Sequence, residues 1–107
     1  MKIAIAAPTT NAQDAISRRG ARAECYLVFD ESGGQLEAIQ NPFKDYDRAV
    51  GVRVADYLAE RGISVVAAAH LGNGFTTALE AKGILDSECE GTVSTVAREL
   101  AARFGAL

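Results

Sequence analysis

Tryptophan is absent from this chain, and histidine and methionine each occur once. The single histidine, His70, has no recognisable partner spacing, and no G-x-S-x-G turn accompanies it, so a nucleophilic triad is poorly supported. Cysteine is scarce as well. Cys25 and Cys89 stand in neither CxxC nor CxxH spacing, which argues against a disulfide framework or a zinc knuckle. Free thiols that pack as small hydrophobes are the plain expectation. No apolar run approaches the ~20 residues that span a bilayer. The opening Met1-Lys2-Ile3-Ala4-Ile5-Ala6 is too short for a signal peptide, and Pro8-Thr9-Thr10-Asn11 stops it. It reads as a buried strand in a cytoplasmic protein. The net charge of −3 offers nothing to nucleic acid or to an anionic membrane. Gly72-Asn73-Gly74 is not followed by Lys-Ser/Thr, and no G-x-G-x-x-G occurs, so the usual nucleotide loops are missing. The carboxylates Asp14, Asp30, Asp45, Asp47, Asp56 and Asp86 are scattered, which leaves a hydrolase or nuclease as the weakest reading.

What is present suits one α/β domain over residues 1–107. The chain is 49% hydrophobic and 23% charged, an ordinary globular composition. A domain of this length buries roughly two-thirds of its unfolded surface. Residues 2–7 predict a strand buried on both faces. Residues 8–23 form a long loop with a helical turn predicted around Asp14 to Ser17, and ordered loops of this length are often functional. Residues 25–29 and 36–39 are two strands of a hairpin, joined by Asp30-Glu31-Ser32-Gly33-Gly34. A helix follows Asn41-Pro42, with Asp45 or Asp47 as the expected cap and Val50, Val54, Tyr57 and Leu58 as its apolar face. Gly62 is placed to end it. Residues 63–69 predict a buried strand and residues 70–74 a tight connection. Phe75 and Leu79 mark a short helix that Gly83 ends, and residues 84–89 predict a weaker strand. The last helix is capped by Thr92, with Val93, Val96, Leu100 and Phe104 inward.

Connections fix the strand directions. The hairpin makes the second and third strands antiparallel, and single-helix crossovers make the third, fourth and fifth parallel. If the first pairs with the second, it too runs parallel to the rest. The expected fold is therefore a three-layer α/β arrangement: a five-stranded mixed sheet with one reversed strand and helices on both faces. The carboxyl ends of the parallel strands, where open α/β sheets bind ligands, then gather the 8–23 loop, Cys25, the 41–47 segment, the 70–74 turn and Cys89. Arg18, Arg19 and Arg22 supply fixed anion donors there. Gly72, Asn73 and Gly74 lead into a helix amino terminus with free N–H groups. His70, Cys25 and Cys89 are candidate metal ligands, since an imidazole and two thiolates suit a copper, iron or molybdenum–sulfur centre. A solvated loop with an ordinary glycine turn is the competing reading.

The sequence resembles the dinitrogenase iron-molybdenum cofactor biosynthesis family, the domain of NifX-type and NafY-type nitrogenase accessory factors and of the carboxyl end of NifB-type proteins. The resemblance rests on Met1-Lys2-Ile3-Ala4-Ile5, on the stretch from Arg22-Ala23-Glu24-Cys25 to Asp30, and on Asn41-Pro42. It continues through Leu58-Ala59-Glu60-Arg61-Gly62-Ile63, the glycine turn after His70, Ala78 to Ile84, and Gly91-Thr92-Val93. It implies a ribonuclease H-like fold and a role in nitrogen fixation. It also implies non-enzymatic binding or carrying of an iron–sulfur or molybdenum-containing sulfide cluster, or of a nitrogenase-cofactor precursor, in exchange with cluster donor or acceptor proteins. Many members carry His-Phe-Gly-Arg-Ala where this chain has Arg19-Gly20-Ala21-Arg22-Ala23. That difference motivates the alternative of a regulatory or scaffold module working through protein contacts without a cluster.

Overall fold

The apolar runs around Ile5, Leu27 and Val66 become the three central strands of one sheet. The computed structural model describes residues 1–105, ordered as β1 (Ile3–Ala7), β2 (Cys25–Phe29), β3 (Gln35–Gln40), α1 (Val50–Glu60), β4 (Val65–Ala68), α2 (Asn73–Ala81), β5 (Leu85–Glu88) and α3 (Val93–Phe104). The sheet order is β3-β2-β1-β4-β5. β2 is antiparallel to both neighbours, while β1, β4 and β5 run parallel. This is the mixed sheet with one reversed strand that the connections require.

Alternation along the strands builds two cores. Ile3, Ile5, Leu27, Phe29, Val65 and Ala67 face α3 and its Val93, Val96 and Leu100. Ala4, Ala6, Tyr26, Val28, Val66 and Ala68 face Val54 and Leu58 of α1 and Phe75 and Leu79 of α2. Each buried Leu, Ile or Phe contributes about 1.5–3 kcal/mol relative to exposure. β3 and β5 are the sheet edges, and of β3 only Ile39 is buried. No helix among the described residues is long and apolar enough to cross a membrane.

Helix ends follow the sequence closely. The N–H of Ile63 reaches back to Leu58 and that of Ile84 to Leu79, so the chain turns out of α1 and α2 at Gly62 and Gly83. The Thr92 hydroxyl accepts from the N–H of Thr95 at 3.3 Å and caps α3.

Two expectations are corrected. Neither Asp45 nor Asp47 caps α1: its cap position is Ala49, in the left-handed conformation at φ 57°, with no side-chain cap bond. Residues 42–45 form their own turn, closed by the Tyr46 N–H on the Phe43 carbonyl, which sets Asp45 apart from the helix start. The turn predicted around Asp14 to Ser17 falls earlier, closed by the Asp14 N–H on the Asn11 carbonyl, and residues 15–17 are tied to neighbouring elements instead. The Ser17 N–H donates to Ala6, its carbonyl accepts from Ala69, and Ala15 bridges Thr92. The loop is thereby wedged over the ends of β1 and β4, and tertiary partners override local preference. Smaller shifts occur at β4 and β5, which are shorter than the predicted 63–69 and 84–89, and at α2, which begins at Asn73.

The hairpin turn carries a pH-dependent contribution. The Asp30 carboxylate accepts from the Ser32 hydroxyl (2.7 Å) and from the N–H groups of Gly34 and Ser32 (both 2.9 Å). These bonds, the Ser32 hydroxyl foremost, hold its pKa below the usual carboxylate value. The stabilisation is complete above the unfolded pKa of about 3.9 and is lost as pH falls through the lower folded value. Thermal melts of wild type and Asp30→Ala are expected to differ most at neutral pH and to converge once pH falls below the lowered folded pKa of Asp30.

Candidate functional site

The carboxyl edge of the parallel strands is roofed by the 8–23 loop and bordered by the starts of α1 and α2. Of the shallow cavities along it, three carry Arg22. One, of about 300 Å³, lies between Arg18, Arg19, Gly20, Ala21 and Arg22 on one side and His70, Leu71 and Gly72 on the other. A second, of about 370 Å³, is walled by Arg22, Ala49, Val50, Gly51, Val52, Gly72, Gly74 and Phe75. The third, of about 400 Å³, runs under the loop from Pro8 to Glu24 and again includes Arg18, Arg19 and Arg22. Arg22 lines all three.

The loop's seat is tightly made. A Cβ on Gly20 would lie 3.0 Å from the His70 carbonyl oxygen and 3.2 Å from Leu71 Cα, so the loop backbone rests directly on the turn leading to α2. The Arg22 guanidinium donates through Nη1 to the Lys44 carbonyl at 2.8 Å. Ser17 and Arg19 exchange hydrogen bonds through the Ser17 hydroxyl, at 3.1 and 3.2 Å.

Both helices that border the second cavity begin without a side-chain cap and without an acidic residue in the first turn. Gly72 stands at the cap position of α2 with φ 80°, where a side chain would be strained. Ala49 does the same for α1 without glycine's freedom, at a cost of about 1–2 kcal/mol. The amino ends of α1 and α2 therefore turn free N–H groups and positive dipole ends toward one space. Gly51 permits their approach: a Cβ there would lie 3.1 Å from Phe75 N and Cα. Sequence reasoning placed Gly72, Asn73 and Gly74 at this edge but not the start of α1. The signal was the lone Gly51 at the head of an otherwise ordinary apolar helix.

His70 stands at the cavity rim, exposed, with Nδ1 3.4 Å from Glu88 Oε2. The same carboxylate oxygen accepts from the Leu71 N–H at 2.9 Å. Cys25 does not line these cavities. It is 2% exposed and faces the α3 core, its thiol 3.3 Å from the Thr9 carbonyl and 3.6 Å from that of Ala7. Burial, aided by the Glu24 charge, pushes its pKa up and disfavours a thiolate. Cys89 lies half-buried in a separate recess with Ala69, Glu88 and Glu90, beside the Ser87 hydroxyl at 3.3 Å. β2 and β5 are separated by β1 and β4, so three inter-strand spacings put the two cysteines roughly 14 Å apart. Metal bonds to sulfur or nitrogen are only ~2.0–2.3 Å long, so Cys25, His70 and Cys89 cannot share one ion. Among the described residues no three His, Cys, Asp or Glu side chains form a group able to hold a metal ion. What lines this edge is Arg18, Arg19 and Arg22 together with the amino ends of α1 and α2.

No curated protein matches the chain. Among solved structures, the apo form of the orange protein from Desulfovibrio gigas is 27% identical with a TM-score of 0.82, over 98% of this chain and 87% of that one. A NifB-like protein from Thermotoga, assigned to the DUF35 family, is 25% identical with a TM-score of 0.77, over 96% and 88% of the two chains. A family model described as dinitrogenase iron-molybdenum cofactor matches residues 1–103. The chain belongs to the dinitrogenase iron-molybdenum cofactor family.

Proposed function

We propose that this protein is a non-enzymatic binder or carrier of an anionic metal–sulfur cluster, an iron- or molybdenum-containing sulfide or a nitrogenase-cofactor precursor, exchanged with donor and acceptor proteins. Arg19 and Arg22 hold the cluster's charge from one side, and the N–H groups of Asn73, Gly74 and the start of α1 meet it from the other. The observation that carries this reading is Arg22 lining the three cavities between the 8–23 loop and an edge where two uncapped helix amino ends converge. Membership of a family concerned with the iron-molybdenum cofactor supports it. So does a similar fold known in an apo form, a description that refers to a bound group. The donor set fits an anion held by its outer sulfides. It does not depend on Cys25, which is buried as a neutral thiol. His70 at the rim is free to donate to the same anion.

The test is anaerobic titration with tetrathiomolybdate, followed by visible spectra and metal analysis. Saturable, stoichiometric uptake is expected, weakening as salt screens exposed charges. Charge-assisted hydrogen bonds contribute about 1.5–3 kcal/mol each, so Arg19→Ala/Arg22→Ala is expected to lose at least tenfold in affinity. No uptake, or uptake unchanged in the double variant, overturns the reading.

A further inference from the structure

Arg22 owes its position to one buried side chain. Asn41 is 5% exposed and is the buried polar residue of the described core. Its Nδ2 donates to the carbonyls of Ala21 (2.8 Å) and Ala23 (2.9 Å), the two neighbours of Arg22. Its Oδ1 accepts from the N–H of Phe43 at 3.0 Å, and its own N–H donates to Glu24 at 3.2 Å. Phe43 adjoins Lys44, whose carbonyl receives the Arg22 guanidinium. A single amide therefore fixes both ends of the arginine: the backbone from which it springs and the carbonyl that receives its tip. The Tyr26 hydroxyl extends the clamp. It donates to the Gly20 carbonyl and lies 3.4 Å from Asn41 Nδ2. Asparagine suits the role because it brings two donors and an acceptor together on a short stem. Aspartate would face the Ala21 and Ala23 carbonyls with lone pairs.

We propose that Asn41, backed by Tyr26, is the positioning residue of the anion site, fixing Arg22 where it lines the cavities between the loop and the amino ends of α1 and α2. The ligand part of this inference rests on the cluster-binding reading above. Its geometric part does not.

Two measurements test it. The first uses ligand-free protein and the heteronuclear NOE of the Arg22 Nε–H group. A value close to that of ordered backbone is expected in the wild type, falling in Asn41→Ser toward that of exposed Arg18. An unchanged value overturns the proposal whether or not any ligand binds. The second is a double-mutant cycle read by tetrathiomolybdate affinity. Asn41→Ser is expected to weaken binding about tenfold when Arg22 is present and less than twofold in Arg22→Ala. Equal losses in both backgrounds mean a merely structural role and overturn it. If Asn41→Ser does not fold, Tyr26→Phe carries both measurements, with smaller changes in the same direction. A wild type that takes up no tetrathiomolybdate defeats the cluster reading, while the NOE still decides the positioning.

Discussion

Replacing Gly20 with valine is expected to lower the melting temperature by roughly 10 °C and to weaken anion uptake at least tenfold. The first Cβ already meets three neighbours closely: the His70 carbonyl oxygen at 3.0 Å, Phe75 Cδ2 at 3.1 Å and Leu71 Cα at 3.2 Å. Two of these are backbone atoms of the turn that carries Gly72, so they cannot step aside by changing a rotamer. Phe75 is buried in the α1/α2 core and has little room to yield. Forcing extra carbon into a packed site costs about 1–3 kcal/mol. For a domain of about 100 residues each kcal/mol moves the melting temperature by roughly 4–8 °C. The affinity loss has a separate cause. Gly20 lies between Arg19 and Arg22, so lifting it from the turn carries both arginines away from the cavity they share with Gly72. Thermal circular dichroism and tetrathiomolybdate titration of Gly20→Val measure the two effects. An unshifted melting temperature would show that the loop does not rest on the turn as described.

Much of the fold is legible in the sequence because its signals are local and strong. The apolar runs at 2–7, 25–29 and 63–69 mark buried strands, and the hairpin and crossovers then dictate which strand is reversed. Helix exits at Gly62 and Gly83 and the Thr92 cap are read from single residues because capping acts within one turn. The start of α1 is not legible in this way. Asp45 and Asp47 have the right chemistry for a cap, but Asp45 lies within the Phe43–Tyr46 turn, and the helix begins only after a strained Ala49, two residues beyond Asp47. The tertiary docking of residues 15–17 is hidden for another reason. Its partners, Ala6, Ala69 and Thr92, come together only after β1, β4 and α3 have assembled.

The site is legible at the level of an edge but not of a wall. Strand direction alone brings the arginine loop, the 70–74 turn and both cysteines to the same end of the sheet. Which cysteine faces a cavity is decided by the side of the sheet on which α3 packs, and no local pattern states that. Cys25 shares its parity with Leu27 and Phe29, and all three turn to α3. Asn41 was visible as part of an Asn-Pro break, but its task depends on carbonyls some twenty residues away. Long-range satisfaction of a buried amide leaves no periodic trace in a sequence.

Gly51→Val and Leu58→Ala are expected to separate the site from the core on which it stands. Leu58 is fully buried on α1, away from the cavities. Truncating it removes packing and leaves a cavity, at a cost of about 2–5 kcal/mol. Its melting temperature is expected to fall by 10 °C or more, given roughly 4–8 °C for each kcal/mol. Its affinity for tetrathiomolybdate should stay within about twofold below the melting range, because the cost lies in packing remote from the cavities. Gly51 has the opposite balance. A helix gains from losing a glycine, by up to about 1 kcal/mol for alanine and less for valine. Against that stands a Cβ 3.1 Å from Phe75 N and Cα and 3.3 Å from Gly74 C, contacts that only a shift of one helix start can relieve. The two terms partly cancel in stability, so the melting temperature of Gly51→Val should fall less than that of Leu58→Ala. They do not cancel in binding. Moving α1 off α2 parts the two sets of free N–H groups, and dipole effects fade within the first turn, so affinity should drop about tenfold. Parallel melts and titrations of the two variants therefore give crossed rankings if the helix starts act together on the anion. If affinity follows melting temperature in both, the convergence of α1 and α2 serves packing alone.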